Sequence, residues 1–158
     1  MADQQVDVPR EEWVGAVRSA RDEDFAFFDV LTAVDLEEDG FEVVLRLWDV
    51  VRRTGRVLTC RVPRDDARLP TITPLYDGAA WHERATAELF GIGFDGHETA
   101  HLLLPDSFDG HPLRKDFVLA ARVAKRWPGA KEPGESDADL ATPRRRPAPP
   151  GRPTDWGA

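Results

Sequence analysis

Three consecutive segments in the first half of the chain carry the residue pattern of β-strands and are separated by very short turns. They run from Phe25 to Leu36, from Phe41 to Trp48 and from Arg56 to Val62. The second and third alternate between two kinds of side chain, with the period of two residues that a half-buried strand shows. An Asp39-Gly40 step, which is typical of hairpins, separates the first two. Because two-residue turns of this kind join antiparallel neighbours, the sequence predicts a three-stranded antiparallel meander.

Two amphipathic helices are expected to cover this meander. The first spans Pro9 to Arg21, and the second spans Leu75 to Phe90 after a proline-rich connector from Pro63 to Pro74. Gly91 is placed to cap the second helix at its C-terminal end. The apolar stripes at helical spacing comprise Trp13, Val14 and Val17 in the first helix and Trp81, Ala85 and Leu89 in the second. A meander with covering helices is an α/β fold of the α+β two-layer type.

The end of the chain differs in composition from the rest. From Pro128 onward it consists mostly of proline, glycine, arginine and acidic residues, with almost nothing to bury. Segments of this kind cannot offset the entropy of ordering by forming a core of their own. We therefore expect a folded domain over residues 1–127, which includes a loop-rich docking segment, and an extended C-terminal tail over residues 128–158.

Charge and cysteine content exclude several classes of function. A formal net charge of −8 argues against binding to nucleic acid, because phosphate contacts need a basic surface. The single cysteine, Cys60, excludes a disulfide within the chain and an iron–sulfur cluster held by this chain alone. It falls in a predicted strand, where a buried, inert thiol is the expected state. No membrane span or signal peptide is evident, so we expect a cytoplasmic location.

The stretch from Trp81 to Leu119 contains all four histidines of the chain. His97 and His101 have the spacing that places two metal ligands on one face of a helix. Gly93 and Gly96 make a helix improbable there, and in a loop the same spacing has no such geometric meaning. A metal site is therefore the least favoured interpretation. The residues that could complete a metal shell are His82, Glu88, Glu98 and His111.

The charged residues of this stretch allow two interpretations. Arg84 and Glu88, four residues apart, can form an ordinary ion pair on the solvent side of the second helix. Alternatively, they belong to a charged face at a contact between subunits, where charge pairs become position-specific. The loop from His111 to Asp116 poses the same choice, since two cations beside an aspartate form either a solvated turn or a proline-stiffened docking element.

Several blocks in this region, taken together and in order, resemble the 30 kDa subunit family of respiratory complex I, in its form from bacterial NADH:quinone oxidoreductase. The blocks are Trp81-His82-Glu83-Arg84, Glu88 to Ile92, Gly96-His97, Leu103 to Asp106 and Gly110 to Phe117. The strong resemblance covers about a quarter of the chain, and the preceding meander fits the same family weakly.

The resemblance implies a cofactor-free structural subunit in the peripheral arm of a membrane-associated complex that couples electron transfer to ion translocation. Flavin and iron–sulfur clusters would reside in partner subunits. The partners would be the hydrogenase-like large subunit at the quinone site and neighbouring subunits, with membrane contact only through the complex, on its cytoplasmic side. The tail would extend over the partner, with Trp156 as an apolar anchor.

On this basis we predict one set of partner-docking residues and no catalytic, cofactor-binding or metal-binding residues. The docking set is Glu83, Arg84, Glu88, His97, His111, Arg114, Lys115, Asp116 and Trp156. The chain departs from the family pattern at Ala85, where a second glutamate is usual, and around His101, where basic residues are usual. Two alternatives stay open: the equivalent subunit of an energy-converting membrane-bound hydrogenase or related dehydrogenase, and a stand-alone metal-dependent enzyme.

Overall fold

A computed structural model describes residues 4–98 and 100–118 of the chain. The predicted boundary between residues 127 and 128, the tail and Trp156 lie outside these residues. No helix in the described ranges is long and apolar enough to cross a membrane.

The main sheet has four strands and contains the predicted antiparallel meander. Strands β2 (Phe27–Asp35), β3 (Phe41–Asp49) and β4 (Thr54–Val62) follow one another along the chain and pair antiparallel. A short strand that the sequence pattern did not indicate, β1 (Gln4–Asp7), pairs parallel with β4, so the order is β1-β4-β3-β2. The mixed α/β fold with a mostly antiparallel sheet is thus confirmed.

The core lies between this sheet and the first helix. After a turn of 3₁₀-helix, α1 (Trp13–Asp22) buries Trp13 and Val17 as its spacing predicted. On β3 every second side chain is buried, and the apolar ones belong to the same cluster as Trp13 and Val17. Burial of a valine, leucine or phenylalanine side chain stabilises the folded state by roughly 1.5–3 kcal/mol. Because this strand buries several of them, it is the centre of the hydrophobic core. Its fully buried apolar residues are Phe41, Val43, Leu45 and Leu47.

The second helix is shorter than predicted. It begins at Ala79 rather than Leu75, because the amides of Leu75 and Tyr76 donate to the carbonyl of Ile72 and form a separate turn. This helix, α2 (Ala79–Phe90), packs against β2 at the edge of the main sheet.

Two very short strands flank α2 in the chain. The proline-rich connector before the helix contains β5 (Arg68–Pro70), and β6 (Gly93–Asp95) follows the helix. They pair parallel with each other as a separate two-stranded sheet. The segment that contains α2 therefore connects two paired strands, and the chain after the helix returns beside the connector that precedes it.

The predicted apolar stripe of α2 is not its buried face. Trp81 is 67% exposed, whereas Glu83 is fully buried. A buried carboxylate is tolerated only where hydrogen-bond donors surround it, and here the following loops supply them. The helix thus turns polar residues inward and an aromatic residue outward. Its buried residues are Ala79, Glu83, Thr86, Glu88 and Phe90.

Cys60 occupies an inward position on β4 and is 1% exposed. Burial raises the pKa of its thiol to about 11. Because the thiolate is the reactive form, roughly 0.1% of the thiol would be ionised at pH 8.

We therefore expect native Cys60 to react with iodoacetamide at pH 8 far more slowly than the same thiol in the urea-unfolded chain. The measurement is the rate of alkylation followed by mass spectrometry. Thr54→Cys, which adds an exposed thiol to the same strand, serves as the control and should react at the unfolded rate. If Cys60 and the introduced thiol react at equal rates in the folded protein, the buried placement of Cys60 is contradicted.

Candidate docking site

The C-terminal end of α2 is capped completely by Gly91 and by the loop that begins at His111, which we call the capping loop. The last four carbonyls of any α-helix lack partners within the helix. Here each of the four accepts a hydrogen bond from a residue beyond the helix. The pairs are Ala87 O with Gly91 N at 2.8 Å, Glu88 O with His111 Nδ1 at 2.8 Å, Leu89 O with Leu113 N at 3.1 Å, and Phe90 O with Arg114 Nε at 2.6 Å. A carbonyl can only accept, so Nδ1 of His111 carries a proton.

Gly91 makes this arrangement possible. It adopts a left-handed conformation with φ of 74°, as its predicted capping position requires. A Cβ atom at this position would overlap the side chains of Arg114 and His111. Glycine is therefore needed both for the backbone turn and for the close approach of the capping loop.

Arg114 is a contact of the fold itself. Besides bonding Phe90 O, its guanidinium lies over the ring of Phe41, 5.3 Å from the centroid. A cation at the C-terminal end of a helix also interacts favourably with the helix dipole. The docking role predicted for Arg114 is untested, but a substitution there would disturb folding and docking together.

Glu88 binds the loop that follows Thr99. Its carboxylate accepts hydrogen bonds from three consecutive backbone amides, those of Leu102, Leu103 and Leu104, at 2.8–3.3 Å, and from Nδ1 of His101 at 2.9 Å. Burial alone would raise the pKa of this carboxyl, but the donors outweigh it and hold the pKa below its usual value. The buried carboxylate therefore holds this loop in place through hydrogen bonds.

Of the two interpretations of Arg84 and Glu88, the ion pair on the solvent side is wrong. Arg84 instead donates from Nε to the carbonyl of Ala100 at 3.0 Å and from Nη2 to that of His101 at 2.7 Å. Both charged side chains reach the same loop, because it provides carbonyls for the guanidinium and amides for the carboxylate.

Glu83 holds the loop around His97 in place through hydrogen bonds in a similar way. Its carboxylate accepts hydrogen bonds from the amide of Ile72 at 2.8 Å, from the hydroxyl of Thr71 at 2.7 Å and from Nδ1 of His97 at 2.8 Å. Since Glu83 is fully buried, it cannot itself touch a partner in this conformation. Its contribution is to fix the position of His97.

Asp35 is a functional residue that the sequence analysis missed. It ends β2 on the inward side, and it accepts hydrogen bonds from the amides of Glu37 and Lys115, both at 2.8 Å, and from the guanidinium of Arg64. Burial opposes ionisation, but these donors and the charge of Arg64 hold the pKa of Asp35 below its usual value. Asp35 thereby anchors the capping loop to the sheet.

The charged residues that follow in the capping loop lie at its surface. Lys115 Nζ is 3.0 Å from a carboxylate oxygen of Glu37, and Asp116 is 3.5 Å from Arg64. Both are exposed, so these ion pairs contribute little to stability. Lys115 and Asp116 are thus the charged members of the predicted set that are available to a partner.

The four histidines serve as hydrogen-bonding groups. In the described ranges no group of three or more histidine, cysteine, aspartate or glutamate side chains is arranged to hold a metal ion. Each imidazole instead has Nδ1 within hydrogen-bond distance of an oxygen. The pairs are His82 with Leu31 O, His97 with Glu83, His101 with Glu88, and His111 with Glu88 O.

The loops that these polar contacts hold in place present apolar side chains to solvent. Leu103 is 63% exposed although its amide is bound by Glu88, and Leu113 is 50% exposed although its amide caps α2. Trp81 projects from the outer face of the same helix. Exposed apolar groups on a rigid support are typical of binding surfaces, because little entropy is lost on association.

The lowered pKa values of Glu88 and Asp35 predict a loss of stability in acid. A carboxyl whose pKa is lower in the folded state stabilises the fold above its unfolded pKa of about 4, and this stabilisation disappears as pH falls through the folded value. We expect Glu88→Gln to be less stable than the native chain at pH 7 and to lose less stability between about pH 5 and pH 2. Urea unfolding across this range measures both effects. Parallel curves for the two proteins would contradict the assignment.

Gly91→Ala should destabilise the domain by at least ~1–2 kcal/mol, because a left-handed backbone is unfavourable for alanine and the methyl group displaces the capping loop. Gly15→Ala is a matched control. It lies within α1 with open space around it, and should gain roughly 0.5–1 kcal/mol. Thermal or urea unfolding of both variants distinguishes them, and a neutral Gly91→Ala would disprove the capping role.

The sequence and fold match those of known proteins. A family model, that of the respiratory-chain NADH dehydrogenase 30 Kd subunit, matches residues 6–123. The 30.4 kDa subunit of mitochondrial NADH-ubiquinone oxidoreductase from Neurospora crassa is 41% identical over 105 residues, which are 65% of this chain and 37% of that protein. The corresponding NADH-quinone oxidoreductase subunit from Roseiflexus sp. is 38% identical over 125 residues, which are 75% of this chain and 72% of that protein.

Other relatives are longer or have solved structures. The C/D subunit of NADH-quinone oxidoreductase from Enterobacter sp. is 36% identical over 118 residues, which are 74% of this chain and only 18% of that protein. A trypsin-resistant fragment of Nqo5 has a TM-score of 0.57 and 28% identity, with 60% of this chain and 80% of the fragment covered. A chain of an archaeal membrane-bound sulfane sulfur reductase has a TM-score of 0.65 and 30% identity, with 76% and 75% covered.

The first relatives thus differ greatly in how much of their length this chain spans, from 18% to 72%. The family model nevertheless covers most of the chain, including all the sequence blocks between Trp81 and Phe117. The resemblance drawn from those blocks is confirmed, and this chain belongs to the family of the 30 kDa subunit of respiratory-chain NADH dehydrogenase.

Proposed function

We propose that the chain is a structural subunit of a membrane-associated NADH:quinone oxidoreductase, a complex that couples electron transfer to ion translocation. In this role it performs no chemistry alone, and it holds neighbouring subunits of the peripheral arm together. The names of the relatives from Neurospora, Enterobacter and Roseiflexus, which are subunits of NADH-ubiquinone or NADH-quinone oxidoreductases, support this assignment.

One observation carries the proposal: the two loops beside α2 bind inward through polar groups and project apolar groups outward. Glu88 and Arg84 hold the first loop, and the helix terminus and Asp35 hold the second. The outward side chains, Trp81, Leu103 and Leu113, are the kind of apolar anchors that carry binding energy at the centre of an interface.

The expected partner is the hydrogenase-like large subunit that forms the quinone site, together with its neighbours in the peripheral arm. The Enterobacter relative supports this choice, because its C/D designation joins two subunits and this chain matches only 18% of its length. Two subunits that are fused into one chain in one organism are expected to be neighbours where they are separate chains in another organism. Membrane association would then be indirect, through the complex, on its cytoplasmic side.

A cofactor-free role fits the donor groups of the described residues. The only thiol of the whole sequence, Cys60, is buried in the core with a raised pKa, which makes it a poor metal ligand. The histidine Nδ1 atoms are engaged in holding loops. Flavin and iron–sulfur clusters would therefore belong to partner subunits.

The archaeal sulfane sulfur reductase favours a second candidate function. Its chain matches more of this protein than the Nqo5 fragment does, with a higher TM-score. The same fold could thus serve in a related membrane-bound oxidoreductase or an energy-converting hydrogenase. The assembly purified through a tag on the full-length chain decides between them: NADH-dependent quinone reduction supports the first function, whereas nickel or an NADH-independent activity supports the second.

For the docking surface we expect Leu103→Asp to reduce the amount of oxidoreductase recovered with the tagged full-length chain by at least tenfold. The reason is that a central apolar anchor is replaced by a charge that the partner would have to bury. The yield of co-purified flavin and iron–sulfur proteins is the measurement, and the melting temperature of the isolated variant should stay close to that of the native chain.

Val51→Asp is the matched control for this experiment. Val51 is 87% exposed at the β3–β4 turn, far along the chain from the two loops, so the same chemical change should leave recovery unaltered. If Leu103→Asp and Val51→Asp behave alike, the docking surface has been placed wrongly. If the native chain itself recovers no redox proteins, the proposed function is wrong.

A further inference from the structure

A cleft of about 270 Å³ lies between α2 and the loop that precedes the capping loop. Its wall combines an aromatic ring with polar groups. The lining residues are Ala87, Glu88, His101, Phe108, Gly110 and His111. Phe108 is fixed by stacking on Phe117, with ring centroids 5.8 Å apart.

Three carboxylates on these loops, Glu98, Asp106 and Asp109, have no partner in the described ranges and are exposed to solvent. No lysine or arginine occurs between Arg84 and Arg114 in the sequence. We refer to these three carboxylates as the acidic rim.

Several other surface carboxylates of the described chain are neutralised by the chain itself. Asp66 pairs with Arg10, Asp95 with Arg68, and Glu37 with Lys115. At the acidic rim no such pairing occurs within the described ranges, and the nearest arginine before it along the chain, Arg84, is committed to carbonyl oxygens. The rim therefore leaves a negative potential over this part of the surface.

Leu103 and the three carboxylates of the acidic rim all lie between β6 and the capping loop. Asp106 follows Leu103 by three residues, and Trp81 lies one helical turn before Arg84, which holds the first loop. A partner that covers Leu103 must also remove water from nearby carboxylates. Burying a carboxylate without a cation is costly, so an apolar or acidic partner surface would be rejected here.

We propose that this surface receives a segment of the partner subunit in which an arginine or lysine stands beside apolar residues. The apolar residues pack on Trp81 and Leu103, and the cation meets the acidic rim beside the ring of Phe108. A guanidinium is suited to both contacts, since it binds carboxylates and stacks on aromatic faces. This inference rests on the proposed function and adds to it the chemistry of the partner.

The test uses the tagged full-length chain in cells that make the whole complex. One variant reverses the rim with Glu98→Lys, Asp106→Lys and Asp109→Lys. A second neutralises it with Glu98→Gln, Asp106→Asn and Asp109→Asn. The control makes the same charge reversal at exposed acidic positions near α1 and the β4–β5 connection, with Glu11→Lys, Glu12→Lys and Asp65→Lys. Recovery of the redox partners is measured at low and at high salt, with thermal unfolding as a check of folding.

We expect rim reversal to lower recovery at low salt about tenfold or more, and the control reversal to leave it unchanged. Recovery with the neutralised variant should depend much less on salt than recovery with the native chain, because the charges that salt would screen have been removed. Folded rim variants that recover partners as well as the control would overturn the inference while leaving the proposed function intact. Failure of the native chain to recover any flavin or iron–sulfur protein would overturn both.

Discussion

Glu88 is the residue on which both loops beside α2 depend. Its carboxylate binds the amides of Leu102 to Leu104, and its main-chain carbonyl binds the ring of His111. Glu88 thus holds the loop that contains Leu103 with its side chain, and it holds the capping loop with its main-chain carbonyl. A buried carboxylate is stable only while its donors stay in place. The loops and the end of the helix therefore keep their conformation together or lose it together.

This arrangement separates the roles of polar and apolar side chains. The charged residues that dominate the sequence of this region mostly stabilise the fold, as Glu83, Arg84 and Arg114 do. The surface left for a partner consists of apolar side chains with a few charges around them. Such a surface is ordered before association, which reduces the entropic cost of binding. For a proposed structural subunit, rigidity at the contact is the useful property.

Local patterns in the sequence predicted much of the fold and less of the site. The meander, the buried stripe of α1 and the cap at Gly91 followed from periodicity and from the conformational needs of glycine. The inward face of α2 did not, because spacing alone cannot reveal that loop amides would solvate a buried carboxylate. Asp35 offered a usable signal: it continues the inward positions of β2, where an unpartnered charge could not remain.

The contact between Asp35 and Lys115 joins residues that are 80 positions apart. Contacts over such separations close late in folding, because the chain entropy of the intervening segment must first be reduced by other structure. The capping loop can form its contact with Asp35 only after the sheet has formed and α2 has packed on the edge of the sheet. A newly made chain would therefore acquire its binding surface as one of its last steps. Partner association would then select molecules whose core is already complete.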